Sequence, residues 1–431
     1  MYSAYFFQII NAFVTLLMLP LFLHYLGVQD YVIWSLFATF GGILLQIEAA
    51  IQAVSIREIS KAFNRSNKAT LKVAIARANS AYKNLAYITG IPCMILGVIY
   101  LNYFFHSNPD FEIYLAWVIF IAAYTLNFYW GINNSILIAM GKISALSNIN
   151  SLTRLSNFLL NAITLKLGYS IIGVSTSFII SVIIGISLVF KKKSILMSFF
   201  NFDQLKGQAL NFRQGAFKKY TSYSLISFLL YRCGLFIAAS KLPENEVASF
   251  GLSLQLISFL LLLSFVPVQV WLNDLVIAIN SKNEKFILRE LVKTFFCVNL
   301  IYITGSIGIF LFGNEILQLL NSKVSFFDKS TMFILFAAFL VELNIALFAS
   351  YLTTVEHYSF VKIYLTTSFF SLFAISTYCF VYSTQLKALI FIPFFFQILV
   401  CLPLIMKEAF SFLKVSPRQF FLAFLRVYTP K

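Results

Sequence analysis

Residues 4–54 read AYFFQIINAFVTLLMLPLFLHYLGVQDYVIWSLFATFGGILLQIEAAIQAV. Two apolar runs, 4–23 and 32–54, flank a short polar turn around Gly27–Asp30. Each run has about the 20 residues that a helix needs to cross a bilayer. The rest of the 431-residue chain repeats this texture: 60% of its residues are hydrophobic, 18% are aromatic, and only 11% are charged. A soluble domain carries roughly 25% charged residues. So few charges cannot cover a water-facing surface, so the apolar excess faces lipid. This excludes a soluble enzyme, a nucleic-acid-binding protein and a secreted disulfide scaffold. The net charge of +16 then matters by where the charges sit.

Working outward gives twelve such runs, near 4–23, 32–54, 84–105, 113–140, 143–165, 170–190, 220–240, 248–272, 294–312, 331–352, 360–382 and 386–406. The first lacks a basic leader and a small-residue cleavage site, so it reads as a retained span. Lysines and arginines concentrate in alternate connections. Of the 32, twenty-five fall in 55–83, 141–142, 191–219, 273–293, 353–359 (counting Lys362 at the start of the next span) and the tail, five in the other connections, and two (Arg154, Arg232) inside spans. By the positive-inside rule this predicts an all-α polytopic membrane protein with both termini inside. The outer connections are too short for an extracytoplasmic catalytic domain. No GxxxxGK[ST] stretch is present to bind ATP. The expectation is no enzyme and no cofactor, with an H⁺ or Na⁺ gradient as a candidate energy source. The five cysteines are scattered singly and only three histidines occur, which argues against a metal site.

A shift of 216 residues lays the first two spans on the seventh and eighth. It places Leu26–Tyr31 on Leu242–Val247, Glu58 on Asp274, Asn64 on Asn280 and Asn67 on Asn283, without a gap. Six helices separate the copies, so both run in the same direction. The expectation is two parallel six-helix lobes, 1–193 and 215–410, with a basic linker at 194–214 and a basic tail at 411–431. Such lobes suit alternating access to a site between them near the midplane.

An ionisable group at mid-bilayer costs several kcal/mol, so it faces protein or water. Arg154 has the most informative surroundings. Ser147, Asn150, Ser151, Asn157 and Asn161 share its helical face. The stripe predicts a cavity wall, with the guanidinium fork suited to phosphate. The alternative is an arginine paired across helices for packing. Arg232 stands among apolar neighbours and needs a partner, for which Glu48 and Glu342 are candidates; a ligand contact is the other reading. Glu48 and Glu342 are also candidates to carry a proton or bind a cation. Arg57 opens the first basic connection, as an anchor or a substrate contact. Pro20, Pro92, Pro267, Pro393 and Pro403 lie within spans, where proline frees carbonyls and kinks helices.

Leu19-Pro20, then Tyr25-Leu26-Gly27-Val28-Gln29-Asp30-Tyr31-Val32-Ile33-Trp34-Ser35-Leu36, then Ile56-Arg57-Glu58-Ile59-Ser60-Lys61 resembles the opening of Wzx-type polysaccharide flippases. These belong to the multidrug/oligosaccharidyl-lipid/polysaccharide exporter superfamily. Tyr231-Arg232 and Lys241–Phe250 are similar to that family's seventh–eighth span stretch. Val32 stands where the family has Gly, and Tyr231 where it has an acid. The resemblance implies a MATE-like fold in a bacterial cytoplasmic (inner) membrane. It also implies translocation of undecaprenyl-pyrophosphate-linked oligosaccharide, of O-antigen or capsule type, from inner to outer leaflet. It places Glu48 at a position often held by Asp, and Arg57 at the Arg of R-x-IS. Membrane lipids, a polysaccharide polymerase and a chain-length regulator follow as expected partners, and nucleic acid does not. Two alternatives stay open: a drug or metabolite exporter of the same fold, and a polytopic glycan polymerase or ligase.

Overall fold

The computed structural model describes residues 14, 17–18, 21–22, 24–64, 68–105, 110–197, 214–280, 284–319, 322, 324–355, 357–382, 384–420 and 422. Most of the expected first span, the linker beyond residue 197 and the end of the tail lie outside them. The described residues form helices and no strands: α1 (Val28–Asn64), α2 (Lys68–Phe105), α3 (Phe111–Trp130), α4 (Ile132–Ala139), α5 (Ile143–Lys166), α6 (Ile171–Met197), α7 (Gln214–Lys241), α8 (Glu244–Asn280), α9 (Glu284–Leu319), α10 (Lys329–Thr354), α11 (Ser359–Val381), α12 (Leu386–Phe396) and α13 (Leu402–Leu413). The chain divides into two compact units, Met1–Phe228 and Leu229–Lys431.

Ten stretches among the described residues are long and apolar enough to cross a membrane. Helix α5 is not among them, because the polar side chains around Arg154 dilute its apolarity. Two expected connections prove helical. The described parts of the basic segments 55–83 and 273–293 belong to α1, α2, α8 and α9, and 65–67 and 281–283 lie outside the described residues. The reason is physical: Arg57, Lys61, Lys72 and Arg77 are good helix formers, and a charged helix end protrudes into water as readily as a loop does. The run 113–140 is broken at Gly131, between α3 and α4.

The 216-residue repeat reappears in three dimensions. Val28, Asn64 and Lys68 bound α1 and α2, and the shift carries them onto Glu244, Asn280 and Glu284, the bounds of α8 and α9. It also carries the exposed apolar side chains of α2 onto those of α9: Tyr87 onto Ile303, Ile91 onto Ile307, Ile95 onto Leu311, Leu96 onto Phe312 and Tyr103 onto Leu319. Large apolar groups exposed at such spacing along one helix face suit lipid contact.

Inside the first unit, α1 is the central helix, packed on α2, α3 and α4. Phe37, Phe120 and Trp117 fill one layer, with ring centroids of Phe37 and Trp117 4.9 Å apart. The Trp117 indole donates to the Met94 carbonyl at 2.9 Å. That bond fixes the ring over Gly97, where an added Cβ would lie 1.8 Å from Trp117. Gly97→Ala therefore forces apart two packed helices. It is expected to cost about 1–3 kcal/mol, the usual range for overpacking. A thermal melt of the purified protein reads this as a clear fall in Tm; an unchanged Tm contradicts the packing described.

In the second unit α10 is the buried centre, with most of its length enclosed. It packs on α8, α9, α12 and α13. Between α12 and α13 the chain makes a wide π turn, Gln397–Cys401. Pro393 lies inside α12, and Pro403 stands at the start of α13. Neither proline can donate to the preceding turn and each ring crowds it; a single wide turn relieves that crowding and is a common feature of functional segments.

Candidate functional site

Glu48 sits on α1, buried, where α1 meets α3 and α4. Asn127 Nδ2 of α3 donates to its carboxylate at 3.2 Å. Among the described residues it has no ion-pair partner. Gly131, at the break between α3 and α4, leaves the carboxylate its space: a Cβ there would lie 2.6 Å from Glu48 Oε1 and 2.9 Å from Tyr82. Fully buried Tyr82 closes the other side, its hydroxyl bonded to Ser135 Oγ at 2.8 Å. The break in the helix and the absent side chain together admit a carboxyl into the bundle.

Asn127 also lines a small cavity of about 50 Å³, together with Trp130, Asn133, Asn134, Asn150 and Thr153, among others. One water needs roughly 10–15 Å³ of such volume, so it has room for a few. Asn127 thus touches Glu48 and also lines the cavity, and Asn150 faces it from α5. Asn150 lies one turn before Arg154 on the same helix face.

The remaining stripe divides. Ser147, Ser151 and Asn161 are buried. Asn157 donates to Ser181 of α6 at 3.1 Å, Asn161 donates to the Asn157 side chain at 3.0 Å, and Thr164 bonds Ser177. Those groups tie α5 to α6. Arg154 is different: it is exposed, and among the described residues it has no hydrogen-bond or ion-pair partner. Its side chain is thus offered outward from the middle of the polar face. Arg57 is also exposed, on α1 rather than in a loop.

In the second unit Arg232, half-buried on α7, donates to Ser258 Oγ at 2.6 Å. Glu342 is buried on α10 and accepts from the Tyr364 hydroxyl of α11 across both oxygens, at 3.0 and 2.9 Å. Gln397, carried by the π turn, donates to the Tyr364 oxygen at 3.1 Å. Two residues on from Glu342, Asn344 of α10 exchanges two amide bonds of 2.9 Å with Asn299 of α9. Tyr364→Phe removes the donor to Glu342 and the acceptor for Gln397 together. Leaving buried polar groups unmet costs about 1–3 kcal/mol. Tyr364→Phe is expected to lower the Tm of the purified protein accordingly, and retention of the wild-type Tm contradicts the triad.

Sequence reasoning named the two acids but not Asn127, Tyr82, Tyr364 or Gln397, the side chains that hold them. A signal was there for two of them: Asn127 and Gln397 are lone amides within strongly apolar runs, FIAAYTLNFYW and FIPFFFQILVCL. A buried amide needs partners.

The sequence matches no family model and no curated protein. The structure does find relatives. An inward-facing multidrug resistance MATE family transporter of the MOP superfamily superposes with a TM-score of 0.71 at 14% identity, over 94% of this chain and 95% of that one. The fold is that of a MATE transporter. The VcmN MATE transporter of Vibrio cholerae gives a TM-score of 0.66 at 17% identity, over 97% and 98% of the two chains. A MOP superfamily transporter from Pyrococcus furiosus, described by the reverse polarity of its binding pocket, gives 0.64 at 12%, over 96% and 95%. The MATE fold is a multi-pass membrane architecture, and these neighbours are transporters rather than enzymes.

Proposed function

We propose that the chain is a flippase. It moves undecaprenyl-pyrophosphate-linked oligosaccharide units, of O-antigen or capsule type, from the inner to the outer leaflet of a bacterial cytoplasmic membrane by alternating access. The observation that carries this reading is Arg154. A cation in a membrane helix is costly unless something answers its charge. Among the described residues none bonds or pairs with it, and the polar groups that share its helix face are neutral amides and hydroxyls. A pyrophosphate answers that charge with oxygens that match the guanidinium fork. The polyprenyl tail stays in lipid while the headgroup crosses.

Glu48 supplies the coupling. A carboxylate charge enclosed with one amide donor and no counter-cation is expensive, so binding and release of a proton or Na⁺ there change the energy of the first unit. The amide-lined cavity between Asn127 and Asn150 gives that exchange a polar route towards Arg154.

A second reading, export of a cationic drug or metabolite, draws on the same fold and on the two enclosed acids, Glu48 and Glu342. Reconstitution separates the two. Proteoliposomes holding the purified protein and lipid-linked oligosaccharides extracted from the host are probed with an external lectin. The flippase reading expects protein-dependent exposure of inner-leaflet glycan to the lectin. Protein-dependent ethidium efflux without any glycan exposure overturns it in favour of the exporter.

A further inference from the structure

The second unit carries a cavity that the proposed translocation does not use. It is about 550 Å³, within the roughly 300–1,000 Å³ typical of small-molecule sites. It opens where the α7–α8 turn, the segment 324–328 and the start of α12 meet. This is the end of the unit away from the basic helix extensions, the end that the charge bias places outside.

Its base is pre-built. Asp328 caps α10, accepting from the Thr331 amide at 3.2 Å and the Thr331 hydroxyl at 2.6 Å, with Ser330 as a further donor. Those donors hold its carboxyl well below the usual carboxylate range. Lys387 of α12 pairs with it at 3.3 Å and also donates to Ser330 at 3.0 Å, which ties α10 to α12. The Phe326 amide donates to Asn314 at 3.1 Å, and the Phe327 ring rests against Phe250. The Asp328–Lys387 pair is spent on the wall. Asn245, Glu246 and Gln385 line the same cavity, and among the described residues their side chains have no hydrogen-bond or ion-pair partner.

That donor and acceptor set identifies a guest. With Asp328 and Lys387 cancelling, the cavity keeps the single negative charge of Glu246, which disfavours a phosphate. A polyamine gains little from one exposed carboxylate beside a lysine. Two amides give both donors and acceptors, and a carboxylate accepts two hydroxyls at once. An aromatic ring adds an apolar surface. Together they suit the hydroxyl-bearing edges and apolar faces of sugar rings.

We infer that this cavity binds the saccharide part of the cargo at the outer end of the second unit, apart from the pyrophosphate. This rests on the flippase reading for the identity of the sugar, and the geometry supplies the binding chemistry. The test is saturation-transfer NMR on the full-length protein in detergent. The probe is the glycan mixture released by mild acid from the host polyprenyl-diphosphate pool, with inorganic pyrophosphate and spermidine as charged comparisons. The expected result is transfer to sugar-ring protons that falls at least threefold in the Glu246→Ala/Gln385→Ala variant, with no transfer to pyrophosphate. These side chains are exposed and make no bonds, so the variant keeps the wild-type Tm. Absence of transfer to sugar overturns the inference, as does transfer equal in variant and wild type. Spermidine transfer lost in the variant overturns it too, in favour of a cationic guest. Arg154→Ala keeps the outcomes distinct. If that variant transports normally while sugar transfer holds, the pyrophosphate site fails and the saccharide site stands; if it is transport-dead while no sugar binds, the saccharide site alone fails.

Discussion

Arg154→Ala is expected to lower glycan translocation at least tenfold while leaving expression, membrane insertion and Tm unchanged. The first half follows from charge. A hydrogen bond to a charged group contributes about 1.5–3 kcal/mol, and each 1.4 kcal/mol is tenfold, so losing even one such bond to pyrophosphate removes about one to two orders of magnitude. The second half follows from exposure and the lack of a bonded partner among the described residues, because substitutions at such positions move stability by only about 0.5 kcal/mol. Arg154→Lys keeps the charge but not the fork, so its rate is expected to fall between the two. A variant that is inactive because it is unstable contradicts the placement of Arg154. One that is stable and fully active contradicts its role.

Gly131→Ala is expected to act as a mutation of Glu48 made from another helix. Its Cβ would lie 2.6 Å from Glu48 Oε1, 2.9 Å from Tyr82 and 3.1 Å from the Phe128 carbonyl oxygen. The carboxyl is the group that gives way, since the tyrosine is locked by Ser135 and the carbonyl is backbone. Turning aside costs Glu48 its bond from Asn127. Translocation driven by an imposed ion gradient is expected to drop at least tenfold, as in Glu48→Gln, with a stability loss of about 1–3 kcal/mol from overpacking. The double variant Glu48→Gln/Gly131→Ala is expected to transport no worse than the lower single variant, because both act on one interaction. Multiplicative losses in the double variant contradict a shared site.

The helical membrane architecture was legible in the sequence because lipid imposes a simple rule. A span must be long and apolar, and the repeat at 216 residues showed in polar turns as well as in spans. The basic segments 55–83 and 273–293 misled, because composition tells water from lipid but does not tell a loop from a helix that protrudes. The site was half legible. Glu48, Arg154 and Glu342 stood out because charge inside a span is rare. Their partners did not, because Asn127, Tyr364 and Gln397 are 79, 22 and 55 positions from the acids they serve. Such pairings are set by helix packing, to which local periodicity is blind. The π turn that presents Gln397 had only two prolines to announce it. The polar stripe of α5 read as one wall, yet its members differ: Asn157 bonds across to Ser181 of α6 and Asn161 bonds back to Asn157, while Arg154 is exposed, and only in the proposed reading does it meet a guest.

The most direct measurement is made on cells depleted of this protein. Their polyprenyl-linked oligosaccharides are extracted and identified by mass spectrometry, and the sidedness of those glycans is assayed in spheroplasts with an impermeant reagent. A flippase predicts completed lipid-linked units accumulating on the cytoplasmic face, cleared when the wild-type chain is restored and not when Arg154→Ala is. Units that reach the outer face at the normal rate in depleted cells contradict it.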